Sequence, residues 1–136
     1  FIAVINFMDK ILVEVSVGEL LDKISILDIK RDKIKDLKKL EHIEREYKIL
    51  KQEYDNKVKA DDNLNKLYSS LKIINSKLWV IEDEKRICEK NSNFDEKFIK
   101  LSRDVHFLND ERANIKLEIN THTGSNLKEI KEYTKY

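Results

Sequence analysis

A heptad pattern of apolar residues constrains the fold of this chain more than any other feature. The pattern comprises Leu64, Leu67, Leu71, Ile74, Leu78, Ile81 and Cys88. Steps of three and four residues match one face of an α-helix, and a run of this length is typical of a helix that packs along another. The chain has no proline and only two glycines, so little interrupts helix formation elsewhere.

A second apolar seam follows the polar stretch at 90–93. It comprises Phe94, Phe98, Leu101, Val105, Leu108, Ile115 and Ile119. Two long amphipathic helices joined by a short polar loop are expected to fold back as an antiparallel hairpin. Gly124 is expected to end the last helix, because glycine readily adopts the left-handed conformation that closes helices.

The first third of the chain predicts a strand and a helix. The β-branched run at 10–15 indicates a short strand. Ser16 and Glu19 then have the spacing of a capping box, in which each side chain bonds to the other residue's backbone N–H. A first helix is therefore expected over 17–35.

Polar residues divide the middle of the chain. Asp36 precedes an apolar pattern at 37–58, and it is either the N-cap of a second helix or part of one continuous helix. The stretch "KADDN" at 59–63 is the expected interior loop. Asp62 or Asn63 is the candidate N-cap of the third helix.

The C-terminal tail at 125–136 is open to two interpretations. Leu127, Ile130 and Tyr133 are spaced three apart, which favours a short helix. The alternative is a strand that pairs with residues 10–15, because a lone strand leaves its backbone groups unsatisfied. Such pairing would bring the tail to the start of the first helix, which carries the polar residues Glu19, Asp22 and Lys23.

Charge and composition restrict the classes of function. Lys and Arg total 27 and Asp and Glu total 26, so the chain lacks the strongly basic field of a nucleic-acid binder. No apolar run approaches the ~20 residues that span a bilayer. Cys88 is the only cysteine, which predicts a cytoplasmic protein without an internal disulfide.

The chain begins with Phe1, and its only methionine is Met8. Residues 1–7 are therefore expected to be a non-native or disordered leader, with an additional strand or arm as the alternative. Residues 8–136 are expected to form a single helical domain.

Sequence motifs give no sign of a metal or a cofactor. His42, His106 and His122 share no ligand spacing with one another or with Cys88, so no metal site is expected. Neither a P-loop nor a dinucleotide-binding glycine motif occurs, so no cofactor is expected.

Charged residues interrupt the apolar seams. Arg31, Lys85 and Arg112 occupy positions where an apolar residue is expected, and a buried charge needs a partner or a path to water. Polar flanks accompany these positions, formed by Asn75, Trp79, Glu82 and Arg86 on the third helix and by Asn109, Ala113, Lys116 and Asn120 on the fourth. An ordinary salt-bridged face between helices is the favoured interpretation, and a polar pocket is the alternative.

Four motifs carry a resemblance to a known family. They are "ILVEVSVGELLDKISILDIK", "LWVIEDEKR", "FIKLSRDVHFLNDERANIKLEIN" and "GSNLKEIKEYTKY". Together they resemble a family of small bacterial proteins that carries only a domain-of-unknown-function label, and the likeness covers residues 8–136. Val17 stands where the family pattern often has proline, and Ile130 stands where it has an acid.

The resemblance implies an accessory role in cell-surface polysaccharide assembly and no defined activity. Its polar pattern falls on Gly18, Glu19, Asp22, Lys23, Trp79, Glu82, Asp83, Asn109, Asp110, Arg112, Lys116, Gly124, Ser125, Lys131 and Tyr133. The stretch "ELLDKISILDIKRDKI" is also faintly similar to the first helix of helical chorismate mutases, which implies binding of a dicarboxylate, although the early arginine of that pattern is absent.

The sequence predicts a mainly α protein, an antiparallel helical hairpin or four-helix bundle with coiled-coil-like packing and a short N-terminal β-strand. The expected function is a non-enzymatic interaction or accessory module that binds a second copy or another protein. The alternative is a small enzyme or binding protein for an anionic metabolite, held by Arg31, Arg112, Lys116 and Lys23. The candidate binding residues are Glu19, Asp22, Lys23, Arg31, Trp79, Glu82, Arg86, Asn109, Asp110, Arg112, Lys116, Gly124 and Ser125.

Overall fold

The computed structural model describes residues 8–136, which contain four helices. They are α1 (Val17–Lys33), α2 (Leu37–Lys57), α3 (Asp62–Lys90) and α4 (Glu96–Thr123). The prediction of a mainly α helical bundle is confirmed. The expected leader at 1–7 lies outside the described residues. None of the helices within 8–136 combines the length and the apolar composition that crossing a membrane requires.

Each helix begins at a residue whose side chain accepts a hydrogen bond from a backbone N–H of the first turn. These N-cap residues are Ser16, Asp36, Asp61 and Asp95. Ser, Asp and Asn are favoured there because they satisfy N–H groups that have no partner within the helix. Asp36 therefore starts a separate helix.

Two details of the helix ends differ from the prediction. The N-cap of α3 is Asp61 rather than Asp62 or Asn63, because the Asp61 carboxylate accepts from the Leu64 N–H at 2.7 Å. Helix α1 ends at Lys33, two residues before the expected end. Gly124 closes α4 as expected, with a left-handed φ of 65°.

The capping box at the start of α1 is only half formed. Ser16 Oγ accepts from the Glu19 N–H at 3.1 Å, as the motif predicts. The Glu19 carboxylate instead accepts from the ammonium group of Lys116 at 2.7 Å. A nearby buried cation attracts a carboxylate more strongly than a neutral backbone N–H does.

The strand expected at 10–15 is not formed. Residues 8–15 are exposed and have no regular structure, and the tail at 124–136 forms neither helix nor strand. A side-chain contact links the two segments, in which Asn126 donates to the Glu14 carboxylate at 2.8 Å. Without a backbone ladder to a second strand, the β-branched run has no sheet to join.

Helices α3 and α4 form the expected antiparallel hairpin, and α1 packs against both of its arms. Helix α2 returns along α1. The core where the helices meet contains Leu21, Ile24, Tyr54, Leu64, Leu71 and Ile119. Helix α1 contacts all three other helices. The contacts that hold α1 in place therefore determine how the four helices pack together.

Candidate functional site

The first turn of α1 lies directly against the last turns of α4. The Gly18 N–H donates to Asn120 Oδ1 at 2.7 Å, and the Val17 N–H donates to Ser125 Oγ at 3.1 Å. A Cβ atom at Gly18 would lie 2.6 Å from the backbone oxygen of Lys116, closer than atoms can pack. Ser125, just past the end of α4, thus lies at the start of α1, although the strand pairing that was expected to bring the tail there is not formed.

Lys116 of α4 is the buried cation of this region, with 7% of its surface exposed. Its Nζ lies 2.7 Å from Glu19, 3.2 Å from Glu129 and 3.6 Å from Asp22. Burial by itself lowers the pKa of Lys116, but the hydrogen bond to Glu19 and the charge of Asp22 outweigh burial, so this pKa is raised. The ammonium group therefore stays charged and fully partnered.

Asn75 of α3 connects the carboxylates around Lys116 to a second set of hydrogen bonds. Its Nδ2 donates to Asp22 Oδ1 and to Ser25 Oγ, both at 2.8 Å. Its Oδ1 accepts from Arg112 Nη1 at 3.4 Å. Asp22, Ser25 and Asn75 are at most 5% exposed. Such a buried set is stable only when its members satisfy one another.

We name this set the polar cluster. It contains Glu19, Asp22, Ser25, Asn75, Arg112, Lys116 and Glu129. Within the described residues, every buried side-chain nitrogen and oxygen has a hydrogen-bond partner. The polar cluster thus fastens α1 to both arms of the hairpin and leaves no buried polar atom unsatisfied.

A groove of about 340 Å³ opens beside the polar cluster, between α1, α3 and α4. Its apolar lining comes from Ile26, Ile29, Leu78 and the half-buried Trp79. Its polar lining comes from Asn75, Glu82, Asp83, Arg86 and Arg112.

Arg112 belongs to both the polar cluster and the groove. Its guanidinium is half-buried and reaches Asn75. Over residues 8–136, it forms no ion pair with a carboxylate, and Glu82 and Arg86, four residues apart on α3, do not pair with each other either. The groove therefore keeps charged groups of both signs available to a ligand.

Arg31 lies in a different part of the molecule. Its Nε donates to Glu44 at 2.7 Å, its Nη1 lies 3.6 Å from Asp28, and its guanidinium stacks 4.1 Å from the centre of the Tyr47 ring. The hydrogen bond to Glu44 outweighs burial and raises the pKa of Arg31. Its position in the last turn of α1 directs it towards α2.

The alternative function placed an anion among Arg31, Arg112, Lys116 and Lys23, but the structure does not bring these four residues together. Arg31 binds carboxylates on α1 and α2, and Lys116 binds three others. Lys23 is exposed and lies 3.8 Å from Glu19. These three cations neutralise the protein's own acids, and of the four residues only Arg112 lines the groove.

Two predicted residues, Asn109 and Asp110, lie nearer the N-terminal end of α4 than Lys116 does. Asp110 accepts a hydrogen bond from the hydroxyl of Tyr136, which raises the pKa of this tyrosine. Asn109 is half-buried beside it. The Tyr136 ring also packs edge-on against Phe107, with ring centres 5.5 Å apart. The tail thus runs back along α4 from Gly124, and Asp110 serves to hold its end.

Four residues that take part in the polar contacts of this region were absent from the predicted set: Ser25, Asn75, Asn120 and Glu129. Asn75 and Asn120 lay on the polar flanks of the seams, which was a usable signal. Glu129 was missed because the tail motif placed the acid at position 130. The hydrogen bond from Lys116 lowers the pKa of Glu129, so this acid stays ionised.

Across 8–136, no group of three His, Cys, Asp or Glu side chains is placed to hold a metal ion.

These features define a small helical-bundle protein whose first helix is fastened by a buried polar cluster beside an open groove. The chain belongs to the family of unknown function DUF6165, whose model matches residues 11–136. No curated protein and no solved structure matches the chain.

Proposed function

We propose that the protein is a non-enzymatic helical interaction module that associates with a second copy of itself. The observation that carries this proposal is an apolar stripe on the outer face of α3. Ile73, Val80 and Ile87 recur every seven residues and are 57%, 48% and 49% exposed. Apolar residues at heptad spacing on a solvent-facing helix are typical of a surface that pairs with another helix.

The polar cluster supports a structural rather than a catalytic role for the buried charges. A catalytic acid or base must reach a substrate within hydrogen-bond distance. Lys116 instead contacts three carboxylates, and Asp22 is 5% exposed and contacts Asn75 and Lys116. The cytoplasmic location stays a prediction from the sequence, and a bacterial origin and a link to polysaccharide assembly stay expectations from the family resemblance.

Analytical ultracentrifugation over a wide range of protein concentration tests self-association. We expect a reversible dimer that Val80→Lys dissociates, because a lysine in the apolar stripe opposes an apolar helix contact. Ile130→Lys is the matched control, since Ile130 is 83% exposed on the tail, away from the stripe. A wild-type protein that stays monomeric throughout would contradict the proposal.

A second candidate function is binding of an anionic small molecule in the groove. The half-buried Arg112 guanidinium favours it, because no carboxylate within residues 8–136 pairs with it and its one hydrogen bond, to Asn75, is long at 3.4 Å. Arg86 lines the same groove, and Trp79 offers a flat apolar surface. Arginine binds carboxylates and phosphates through two parallel N–H groups.

The only tryptophan of the chain is Trp79, so its fluorescence reports on the groove. We expect inorganic phosphate, a dicarboxylate or a sugar nucleotide to change the emission of the wild type and to leave Arg112→Gln unchanged. Arg103→Gln, an exposed position on α4, should behave like the wild type. An emission that no anion changes, or a response that persists in Arg112→Gln, would contradict a groove site.

A further inference from the structure

The apolar stripe on α3 is symmetric about Val80, because Ile73 and Ile87 each lie seven residues away from it. At 3.6 residues per turn, Ile73 and Ile87 are each rotated about the helix axis by only about 20° from Val80. The stripe is opposite the buried face of the helix, where Leu71 and Leu78 are 0% and 8% exposed. Within residues 8–136, the fold thus leaves this face of α3 uncovered.

Charged residues flank the stripe in an ordered way. Viewed down the helix axis, Lys77 and Glu84 lie on one side of the stripe, rotated by about 60° and 40° from Val80. Asp83 lies on the other side, at about 60°, together with the neutral Ser76. Lys77 and Asp83 are exposed, and Glu84 is half-buried. The stripe therefore has one basic and one acidic position on the same side, at nearly equal distances from Val80.

We infer that two copies of the chain pair through α3 in antiparallel orientation, around a two-fold axis close to Val80. This inference rests on the proposed self-association. In such a pair Val80 faces the Val80 of the second copy, and Ile73 faces its Ile87. Lys77 lies beside Glu84 of the second copy, and the symmetry forms this ion pair twice.

The parallel arrangement has the opposite electrostatic result. With both helices in the same direction, Glu84 lies beside Asp83 of the second copy, and Lys77 faces only Ser76. Acid then opposes acid on both sides of the stripe, and like charges in contact destabilise an interface. The charge pattern therefore selects the antiparallel pair, whereas the apolar residues alone would accept either direction.

The length of α3 suits this contact. Its 29 residues extend over about 43 Å, so three apolar layers and two ion pairs fit well within the helix. A two-fold contact uses the same surface on both copies. The groove with Trp79 and Arg112 borders the flank that carries Asp83, so it lies beside the contact and stays outside it.

Disulfide trapping tests the direction of the helices. Cysteines can bridge when their Cα atoms lie about 6 Å apart. We expect a mixture of Ile73→Cys and Ile87→Cys proteins to form a disulfide-linked pair under mild oxidation, whereas each protein alone does not. The wild type is the control, because its sole cysteine, Cys88, is buried. Efficient linking within the Ile73→Cys protein alone would show a parallel pair and overturn the inference.

Charge exchange tests the ion pairs by sedimentation. Lys77→Glu and Glu84→Lys should each raise the dimer dissociation constant about tenfold, because each places like charges beside one another twice. The double variant should return the constant to near the wild-type value. Circular dichroism checks that all three variants keep their helices.

The outcomes separate the two proposals. A monomeric wild type contradicts self-association and with it the antiparallel pair. A dimer that Val80→Lys dissociates, but whose affinity is indifferent to both charge reversals or is not recovered in the double variant, contradicts the antiparallel register alone. A dimer that Val80→Lys leaves intact shows that another surface is used, and it also overturns this inference.

Discussion

The backbone N–H of Gly18 and the side-chain oxygen of Asn120 form a 2.7 Å hydrogen bond that leaves no room for a side chain at position 18. The bond joins the first turn of α1 to the end of α4. A Cβ atom here would meet both Asn120 and the backbone of Lys116. Gly18 is therefore required by the close approach of two helices, since its own φ is not left-handed.

Gly18→Ala should lower the free energy of unfolding by about 1–3 kcal/mol, the cost of overpacking a well-packed contact. Urea denaturation monitored by circular dichroism measures this loss. Gly124→Asn is the control, because Asn tolerates the left-handed conformation and the space around Gly124 is open. Equal stability of Gly18→Ala and the wild type would show that α1 can shift away from α4 at little cost.

Lys116→Met should be among the most destabilising substitutions on α4. It leaves Asp22, which is 5% exposed, without its cation, and removing one partner of a buried ion pair costs about 3 kcal/mol or more. Glu129→Gln should cost under about 1 kcal/mol, because the Glu129 side chain is 47% exposed and exposed pairs contribute little. Urea denaturation of both variants decides whether this order holds.

Asn75→Ala tests the hydrogen bonds that cross from α3 to α1. The substitution removes donors from Asp22 and Ser25, and buried polar groups left unsatisfied cost about 1–3 kcal/mol. Asn114→Ala is the matched control, because Asn114 is exposed on α4 and surface changes stay within about 0.5 kcal/mol. Thermal unfolding of the two variants should differ clearly, and similar midpoints would argue against Asn75 as the connection.

Asp61 predicts a specific dependence of stability on acid pH. The Leu64 N–H and then His122 lower the pKa of this carboxyl. A group whose pKa is lower in the folded state stabilises it fully above the unfolded value of about 3.9, and this contribution is lost as the pH falls through the folded value.

Asp61→Asn isolates this contribution, because Asn caps a helix about as well as Asp but carries no charge. Stability of the wild type should exceed that of the variant at neutral pH, and the difference should shrink as the solution is acidified. Urea midpoints across the acid range measure it. A difference that is constant with pH would exclude the Asp61 carboxylate as its source.

The helices could be predicted from the sequence because their signals are local. The seam of Leu64, Leu71 and Leu78 defines the buried face of α3 by spacing alone, and Ser16 marks the start of α1 by its chemistry. The strand at 10–15 was predicted wrongly because β-branched content indicates a strand only where a second strand can pair with it.

The site was harder to predict because equal sequence signals have different outcomes in three dimensions. Arg31 and Arg112 both interrupt an apolar seam, yet Arg31 binds Glu44 on α2 and Arg112 faces the groove. The difference depends on which helix covers each position, and no local pattern contains that information. Glu129 was hidden for the same reason, since only the return of the tail along α4 brings it to Lys116.

The contact between Gly18 and Asn120 also sets an order for folding. It joins residues 102 positions apart, whereas the turn between α3 and α4 brings their seams together over a short loop. Closing a long loop costs more chain entropy than closing a short one, and topologies with distant contacts fold more slowly. We therefore expect the hairpin to form first and α1 to dock onto it. During synthesis, α1 leaves the ribosome before α4, so it waits for its binding partner until α4 has also emerged.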